Sequence, residues 1–342
     1  MNAVRFHQHG GPEVLRYEDA PDPVAATGEA LVRVRACALN HLDLWERRGL
    51  PRVTIPLPHI SGSDVAGEVV ASSSLDVPPG SRVMLQPGLS CGRCAACLSG
   101  RDNECPQYEV LGYRNHDGGY AELVTVPLQN LVKIPDHIDF IQAAAFPLTF
   151  LTAWHMLLTR AGLKNGDDVL VLAAGSGVGQ AAIQIARLHG ARVFATAGSD
   201  EKLERARELG ANHVIHHHKQ DIVEEIKRFT DRRGVDIVIE HVGEATWPKS
   251  MRALARGGRV VTCGATTGAN GAIDLTALFA KQLSILGSYM GTKSELLQAA
   301  RLFFAGELKP VIDRTFPLAD AAAAQQRLEE SGQFGKIVLD VP

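Results

Sequence analysis

The sequence has little net charge, no long hydrophobic run and no internal repeat. Its 35 Lys and Arg nearly balance 38 Asp and Glu, for a formal net charge of −3, so no surface for nucleic acid is predicted. No apolar run is long enough to cross a bilayer, and residues 1–10 contain no apolar signal core. We therefore expect a protein of the reducing cytoplasm that binds neither nucleic acid nor membrane.

Two patterns divide the 342 residues, which are enough for two domains. Up to about residue 135, Pro, Gly and short alternating runs such as ALVRVRA and GYAELVTV predict a compact β domain. From Asp167, the apolar runs DVLVLA, ARVFATA, VDIVIE and GRVVTCG alternate with helical stretches. This alternation predicts an α/β protein with a doubly wound parallel sheet. The terminal run GKIVLDV predicts a strand that returns to the β domain.

Four of the six cysteines follow the spacing C-x2-C-x2-C-x7-C in the segment 91–105. Four thiolates at this spacing can form a tetrahedral cage, which suits Zn²⁺, and a cage with four protein ligands is structural, not catalytic. A disulfide pair or free thiols are the alternatives, and the lack of a secretory context disfavours a disulfide. We predict one structural zinc per chain, bound by Cys91, Cys94, Cys97 and Cys105.

A turn of small residues, AAGSGVG, follows DVLVLA and opens a helix. Gly175, Gly177 and Gly179 let the backbone approach a pyrophosphate, and the helix N-terminus supplies N–H groups. The fingerprint G-x-G-x-x-G is not met literally, because alignment on Gly179 places Ala174 and Ser176 at the first two glycines. The preceding strand and the following helix favour dinucleotide binding over an ordinary tight turn.

The end of ARVFATA bears on the choice of cofactor. NAD sites usually place an acid about 20 residues beyond the glycines to bind the ribose hydroxyls. Here residues 197–198 are Ala and Gly, and Ser199 and Lys202 follow as candidates to hold a 2′-phosphate. Asp200 and Glu201 are the competing candidates, as N-terminal acids of the next helix. The pattern favours NADP(H).

The whole chain resembles the medium-chain dehydrogenase/reductase superfamily, the zinc-type alcohol dehydrogenases and their quinone-reductase relatives. The cysteine spacing and the runs GGYAELVTV, LTAWHML, AAGSGVG, EKLERARELGA and GKIVL match the family's landmarks in order. The resemblance implies a GroES-like catalytic domain over 1–135, with a zinc lobe at 91–105 and a completing C-terminal strand within 313–342. It also implies a Rossmann domain over 136–312 and a cleft between the two.

The resemblance also implies which residues contact the cofactor. His217 falls where relatives often place a Tyr beside the adenosine, although a solvated histidine is the alternative. The predicted cofactor-binding residues are Thr152, Gly175, Ser176, Gly177, Val178, Gly179, Ser199, Lys202 and His217.

The family's catalytic-zinc ligands are replaced at all three positions. The resemblance places the first ligand, a Cys, at Asn40; the second, a His, at Ser63; and the third, a Cys or Asp, at Leu148. An amide, a hydroxyl and an alkyl side chain do not make a zinc site. We therefore predict that the catalytic metal is absent while the structural one remains.

Loss of that metal changes the expected chemistry. In alcohol oxidation, zinc lowers the pKa of the alcohol. Reduction of an activated C=C bond or a quinone needs only hydrogen-bond donors that stabilise an enolate oxygen. Asn40 offers such a donor, and zinc-free quinone reductases carry an Asn at the matching site. A loop-capping amide is the alternative for Asn40. His41 is a proton relay or a satisfied loop histidine, and Ser63 and Asp64 line the pocket unless Asp64 is only a local acceptor. His155, on the LTAWHMLL helix, is expected to be packed or exposed and not catalytic.

The sequence thus predicts an NADPH-dependent oxidoreductase that reduces a small-molecule enone, enoyl compound or quinone without a catalytic zinc. A zinc-type alcohol or aldehyde dehydrogenase and a non-catalytic nucleotide-binding structural protein are the alternatives. The resemblance implies a homodimer or higher homo-oligomer that pairs through an edge strand at 283–290. Cover of that strand by the helix that begins near Ser294 is the alternative.

Overall fold

The computed structural model describes residues 1–51 and 53–342, which fold into two units. Met1–Leu148 and Thr292–Pro342 form the first, called the β-rich unit; Thr149–Gly291 form the second, called the parallel-sheet unit. The two sequence patterns therefore fall mainly in different units.

The regular elements are numbered along the chain. The strands are β1 Asn2–Phe6, β2 Leu15–Asp19, β3 Glu29–Ala38, β4 Asp64–Ala71, β5 Arg82–Leu85, β6 Gly88–Leu89, β7 Glu109–Val110, β8 Leu123–Pro127, β9 Leu131–Lys133, β10 Asp168–Val171, β11 Arg192–Ala197, β12 His213–His216, β13 Val235–Glu240, β14 Leu254–Thr262, β15 Ser284–Gly287, β16 Ile312–Pro317 and β17 Lys336–Asp340.

The α-helices are α1 His41–Arg48, α2 Ala95–Leu98, α3 Phe140–Ala145, α4 Pro147–Trp154, α5 Gly177–Leu188, α6 Asp200–Glu208, α7 Ile222–Phe229, α8 Trp247–Ala253, α9 Leu275–Ala280, α10 Lys293–Phe304 and α11 Ala321–Glu329. Short 3-10 turns cover Pro12–Val14, Asp102–Glu104, Leu128–Asn130 and Leu318–Asp320, and a π-helical segment covers His155–Arg160. Within the described ranges, no helix combines the length and apolar composition needed to span a bilayer.

The parallel-sheet unit has the strand order β12-β11-β10-β13-β14-β15, with every neighbouring pair parallel. The order reverses between β10 and β13, as in a Rossmann fold. Apolar side chains such as Leu170, Phe194, Ile215, Val238 and Val260 form its core. The predicted doubly wound sheet is confirmed, and ligands of such sheets bind at the carboxyl ends of the strands beside the reversal.

The β-rich unit is built around the strand order β16-β17-β3-β4-β5-β9, with β8 also paired to β3. The terminal run GKIVL forms β17 and pairs antiparallel with β3, with Val338 opposite Ala38. The Leu39 N–H continues this contact by donating to the Ile337 carbonyl at 2.9 Å. The predicted return of the C-terminal strand is confirmed, and it places Lys336 beside the residues that follow β3.

The unit boundaries differ from the predicted limits at 135/136 and 312/313. The chain divides after Leu148 and again before Thr292, so residues 136–148 and 292–312 belong to the β-rich unit. Helix α3 packs against β3 and β4. Phe146 stacks on Phe303 of α10, with ring centroids 4.4 Å apart. The contact between Phe146 and Phe303 joins segments 136–148 and 292–312, which are far apart in sequence. No local sequence pattern predicts such a contact.

Candidate functional site

The four cysteines of the segment 91–105 lie together in the β-rich unit. Their Sγ atoms all lie within 4.8 Å of one another, and Cys94 and Cys97 are 3.5 Å apart. Sulfur ligands about 2.3 Å from a tetrahedral zinc are about 3.8 Å apart, so this spacing fits the ion. Backbone N–H groups of Arg93 and Cys94 lower the pKa of the Cys91 thiol to about 6, whereas burial raises the pKa of the Cys97 thiol to about 11, so the fit depends on the sulfur spacing. The donor set fits a structural zinc.

The turn between β10 and α5 requires small residues because its backbone folds back on itself. Ser176 caps α5, and its Oγ accepts the Gly179 N–H at 2.8 Å. A Cβ on Gly179 would lie 2.3 Å from the Ala173 carbonyl oxygen, so a larger residue would force the turn to shift. The N-terminus of α5 therefore lies beside the strand-order reversal, where ligands of doubly wound sheets bind. The predicted turn residues 175–179 fit a dinucleotide.

The end of β11 carries no acidic side chain and is surrounded by basic groups. The Ala197 carbonyl accepts the His217 N–H at 3.1 Å. A Cβ on Gly198 would lie 2.9 Å from His218 Nε2 and 3.0 Å from His217 Nε2, so both imidazoles lie over this glycine. Burial lowers the pKa of His217, and its cationic neighbours, which include Lys202 and Lys249, lower it further. The position where NAD sites hold an acid therefore carries no carboxylate and lies beside two imidazoles.

The start of α6 holds both the candidates for the 2′-phosphate, Ser199 and Lys202, and the two competing acids. Ser199 caps the helix, with its Oγ accepting the Lys202 N–H at 3.3 Å. Asp200 binds Lys219 at 2.7 Å, and Glu201 is exposed. Both acids lie in the first turn of α6, where negative charge complements the helix dipole.

A fully buried carboxylate, Asp64 at the start of β4, joins two of the three predicted zinc-ligand positions. Its Oδ2 accepts hydrogen bonds from Asn40 Nδ2 and Lys336 Nζ, each at 2.9 Å. Its Oδ1 accepts the Leu148 N–H at 2.7 Å. Lys336 also donates to Asn40 Oδ1 and to the Leu39 carbonyl, each at 2.7 Å. Each of the three N–H groups of the buried Lys336 ammonium therefore donates a hydrogen bond.

This arrangement does not fit a catalytic zinc. The Asn40 oxygen faces an ammonium group, which would repel a metal cation, and Leu148 contributes only its backbone N–H. Ser63 offers a neutral hydroxyl, which is not one of zinc's usual ligands. Across residues 1–51 and 53–342, the four-cysteine group alone brings three or more His, Cys, Asp or Glu donors within metal-binding distance.

A second buried carboxylate, Asp43, holds the backbone of Asn40. Its Oδ2 accepts the Asn40 N–H and the Tyr120 O–H, each at 2.9 Å. Burial raises the pKa of Asp43 to about 7 with help from Glu46, while hydrogen bonds from Asn40 and Tyr120 oppose the rise. Asn40 is thus fixed on two sides, through Asp43 and through the ion pair described above.

The remaining predicted residues differ in their surroundings. His41 begins α1, is half-buried and lies edge-on to Trp45; burial and Arg48 lower its pKa. Ser63 is fully buried, and its Oγ has no hydrogen-bond partner in the described part of the chain. Thr152 and His155 are buried in the parallel-sheet unit, so the packed interpretation of His155 is confirmed.

Three residues of these sites were missed by the sequence analysis. Lys336 is a lysine at the start of an apolar strand, which was the available clue. His241, whose Nε2 lies 2.9 Å from Ser176 Oγ, directly follows VDIVIE, at the carboxyl end of a parallel strand where ligand-binding residues collect. Lys249, on α8, had no local clue. Their roles depend on contacts with distant residues.

Comparison with known proteins agrees with the fold. An alcohol dehydrogenase GroES-like domain model matches residues 26–136, and a zinc-binding dehydrogenase model matches residues 177–305. The chain is 33% identical over 351 residues to a quinone oxidoreductase of Homo sapiens, which covers 99% of this chain and 97% of that protein.

Two solved structures superpose closely. The crystal structure of an NAD-dependent alcohol dehydrogenase gives a TM-score of 0.96 at 47% identity, with 100% of both chains covered. A crotonyl-CoA carboxylase/reductase in complex with NADP gives a TM-score of 0.91 at 27% identity, with 100% of this chain and 95% of that one covered. The chain therefore belongs to the medium-chain dehydrogenase/reductase superfamily and is an oxidoreductase with GroES-like and zinc-binding dehydrogenase domains.

Proposed function

We propose that this protein is an NADPH-dependent reductase of an activated C=C bond, as in an enone or enoyl thioester, or of a quinone. The observation that carries the proposal is the buried Lys336–Asp64 ion pair, bridged by Asn40 at a position where zinc-dependent relatives hold a metal ligand. Oxidation of a simple alcohol benefits from a metal that lowers the alcohol pKa. A conjugated acceptor already delocalises the charge that hydride addition creates, so hydrogen-bond donors are sufficient.

Ser63 is the candidate donor in this proposal. Its buried hydroxyl has no partner among the described residues, and a substrate carbonyl oxygen would satisfy it. Asn40 Nδ2 already donates both of its hydrogens, to Asp64 and to the Ala38 carbonyl, so Asn40 takes a supporting role in place of the direct donor role expected from the sequence. Bound NADPH would supply the hydride, and the protein residues would orient the acceptor and stabilise its oxygen.

A substrate panel tests this function. NADPH oxidation is measured with enones, enoyl thioesters, quinones and aldehydes, and NADP⁺ reduction with simple alcohols. Turnover of a conjugated acceptor is expected, and Ser63→Ala should lower its kcat/KM about tenfold to a hundredfold, because one donor to the developing oxyanion is lost. Ser73→Ala, an exposed serine of the same unit, is the matched control. Turnover of alcohols alone would contradict the proposal.

A zinc-type alcohol or aldehyde dehydrogenase is the second candidate. The 47% identity to the NAD-dependent alcohol dehydrogenase favours it. The two candidates differ in metal content, since a zinc-dependent enzyme of this family would hold a catalytic zinc in addition to the structural one. Activity that disappears on removal of a second, tightly held zinc would support this candidate.

We expect NADPH to bind more tightly than NADH. The position after β11 lacks an acid, and Lys202 and Lys249 both act electrostatically on His217 there. Lys202→Ala and Lys249→Ala should each weaken NADPH binding about tenfold, because a charge-assisted phosphate contact contributes about 1.5–3 kcal/mol. NADH affinity should change little. Fluorescence titration with both cofactors measures this, with the exposed Lys164→Ala as control; equal affinities in the unmutated protein would refute it.

We also propose a cytoplasmic homodimer that pairs through the β15 side of the parallel sheet. Strand β15 is the last in the sheet order, and the preceding helix α9 exposes Leu275 at 67% and Phe279 at 71%. Light scattering at micromolar concentration should give twice the single-chain mass of 36.8 kDa. Phe279→Glu should shift the mass toward the single-chain value, whereas Leu188→Glu on α5 should not. A single-chain mass for the unmutated protein would reject the pairing.

A further inference from the structure

The turn that carries Gly175, Gly177 and Gly179 contacts a histidine that follows another strand of the sheet. Ser176 Oγ lies 2.9 Å from His241 Nε2, within the parallel-sheet unit. The same Oγ accepts the Gly179 N–H at 2.8 Å, so its own proton remains available to donate. A neutral imidazole with an unprotonated Nε2 can accept that proton. The contact therefore connects two strand ends that are separate in sequence.

These two strand ends lie where the sheet order reverses. Ser176 follows β10, and His241 follows β13, which pairs with β10. Ligands of doubly wound sheets bind in the crevice at this reversal. The Ser176–His241 hydrogen bond thus crosses the base of the region that a dinucleotide occupies.

The loop that carries His241 is held rigidly. The buried Glu240 carboxylate accepts the N–H groups of Val242 and Gly243 at 2.8 and 3.0 Å. It also accepts the hydroxyls of Thr246 and Ser250, at 2.9 and 2.6 Å. His241 itself is 9% exposed. An imidazole fixed in this way can define the position of a partner hydroxyl, whereas a mobile one could not.

We propose that His241 is a positioning residue for the dinucleotide. By accepting from Ser176, it orients the hydroxyl that caps α5 and so holds the turn in the shape that receives the pyrophosphate. The inference rests on the proposed nicotinamide dinucleotide cofactor. It assigns His241 to cofactor affinity and not to the hydride-transfer step.

The test compares cofactor binding with turnover in the full chain. His241→Leu should raise the NADPH Kd and KM roughly three- to tenfold, the range expected for one hydrogen bond. The kcat at saturating NADPH should stay within about twofold. His241→Gln, whose amide oxygen can take the place of Nε2 as acceptor, should restore most of the affinity. His189→Leu alters a histidine at the other end of α5 and should leave the Kd unchanged.

A double-mutant cycle separates positioning from general destabilisation. If the two side chains act together, His241→Leu should have little further effect on NADPH affinity in a Ser176→Ala background. Additive effects, or an unchanged Kd in His241→Leu, would overturn the inference. If the unmutated protein binds neither NADPH nor NADH, the proposed function fails instead. Circular dichroism melting of each variant identifies any that fail to fold, and the His241→Gln titration then decides the matter.

Discussion

Replacement of Cys94 with serine is expected to release the metal from the segment 91–105 and to unfold that segment. The lobe has little apolar core of its own, since α2 buries no residue and Leu98 is 77% exposed. A four-thiolate site of this kind is held by its metal, whose binding contributes about 10–16 kcal/mol in zinc-finger peptides. Removing one thiolate therefore removes most of what keeps the lobe folded.

Two measurements follow this change. Elemental analysis of the unchelated protein should find one zinc per chain, and close to none in Cys94→Ser. Limited proteolysis should then cleave within 91–105. Cys263→Ser, outside the lobe, should keep its zinc and its resistance to cleavage. Retention of zinc by Cys94→Ser would contradict the cage, and two tightly held zincs in the unmutated protein would contradict a zinc-free active site.

Lys336→Met is expected to lower the free energy of unfolding by about 3–5 kcal/mol, the cost of breaking a buried ion pair by removing one partner. Lys336 is 2% exposed and Asp64 is fully buried. The methionine would fill similar space but donate nothing, which leaves the Asp64 carboxylate, Asn40 Oδ1 and the Leu39 carbonyl short of a donor. Turnover of the proposed conjugated acceptors should fall as well, because Asn40 and the neighbouring Ser63 lose their support.

Denaturant titration followed by circular dichroism measures this effect. Lys133→Met, at an exposed position of β9 in the same unit, should change the free energy of unfolding by less than about 0.5 kcal/mol. The zinc content of Lys336→Met should remain that of the unmutated protein, because the cysteine lobe is untouched. A loss below about 1 kcal/mol would mean that the ion pair is solvated and would remove the main support for the proposed function.

Features that depend on neighbouring residues were predictable from the sequence. The strand and helix periodicities of the parallel-sheet unit, the cysteine spacing and the small residues before α5 are all read within short windows. Each has a local physical cause: side-chain burial on alternate positions, ligand geometry, or the space that Gly179 must leave for the Ala173 carbonyl. The family resemblance rests on these same segments.

The sequence by itself therefore determined the α/β class, the four-cysteine lobe and the glycine turn before α5. Only the tertiary structure decided what surrounds Asn40, because Lys336 is 296 positions away and reaches it only when β17 pairs with β3. Likewise, Ser176 and His241 are 65 positions apart and meet only because β10 pairs with β13. Long-range strand pairing brings such side chains together. The local sequence around a lysine or histidine does not show which distant residue it will contact.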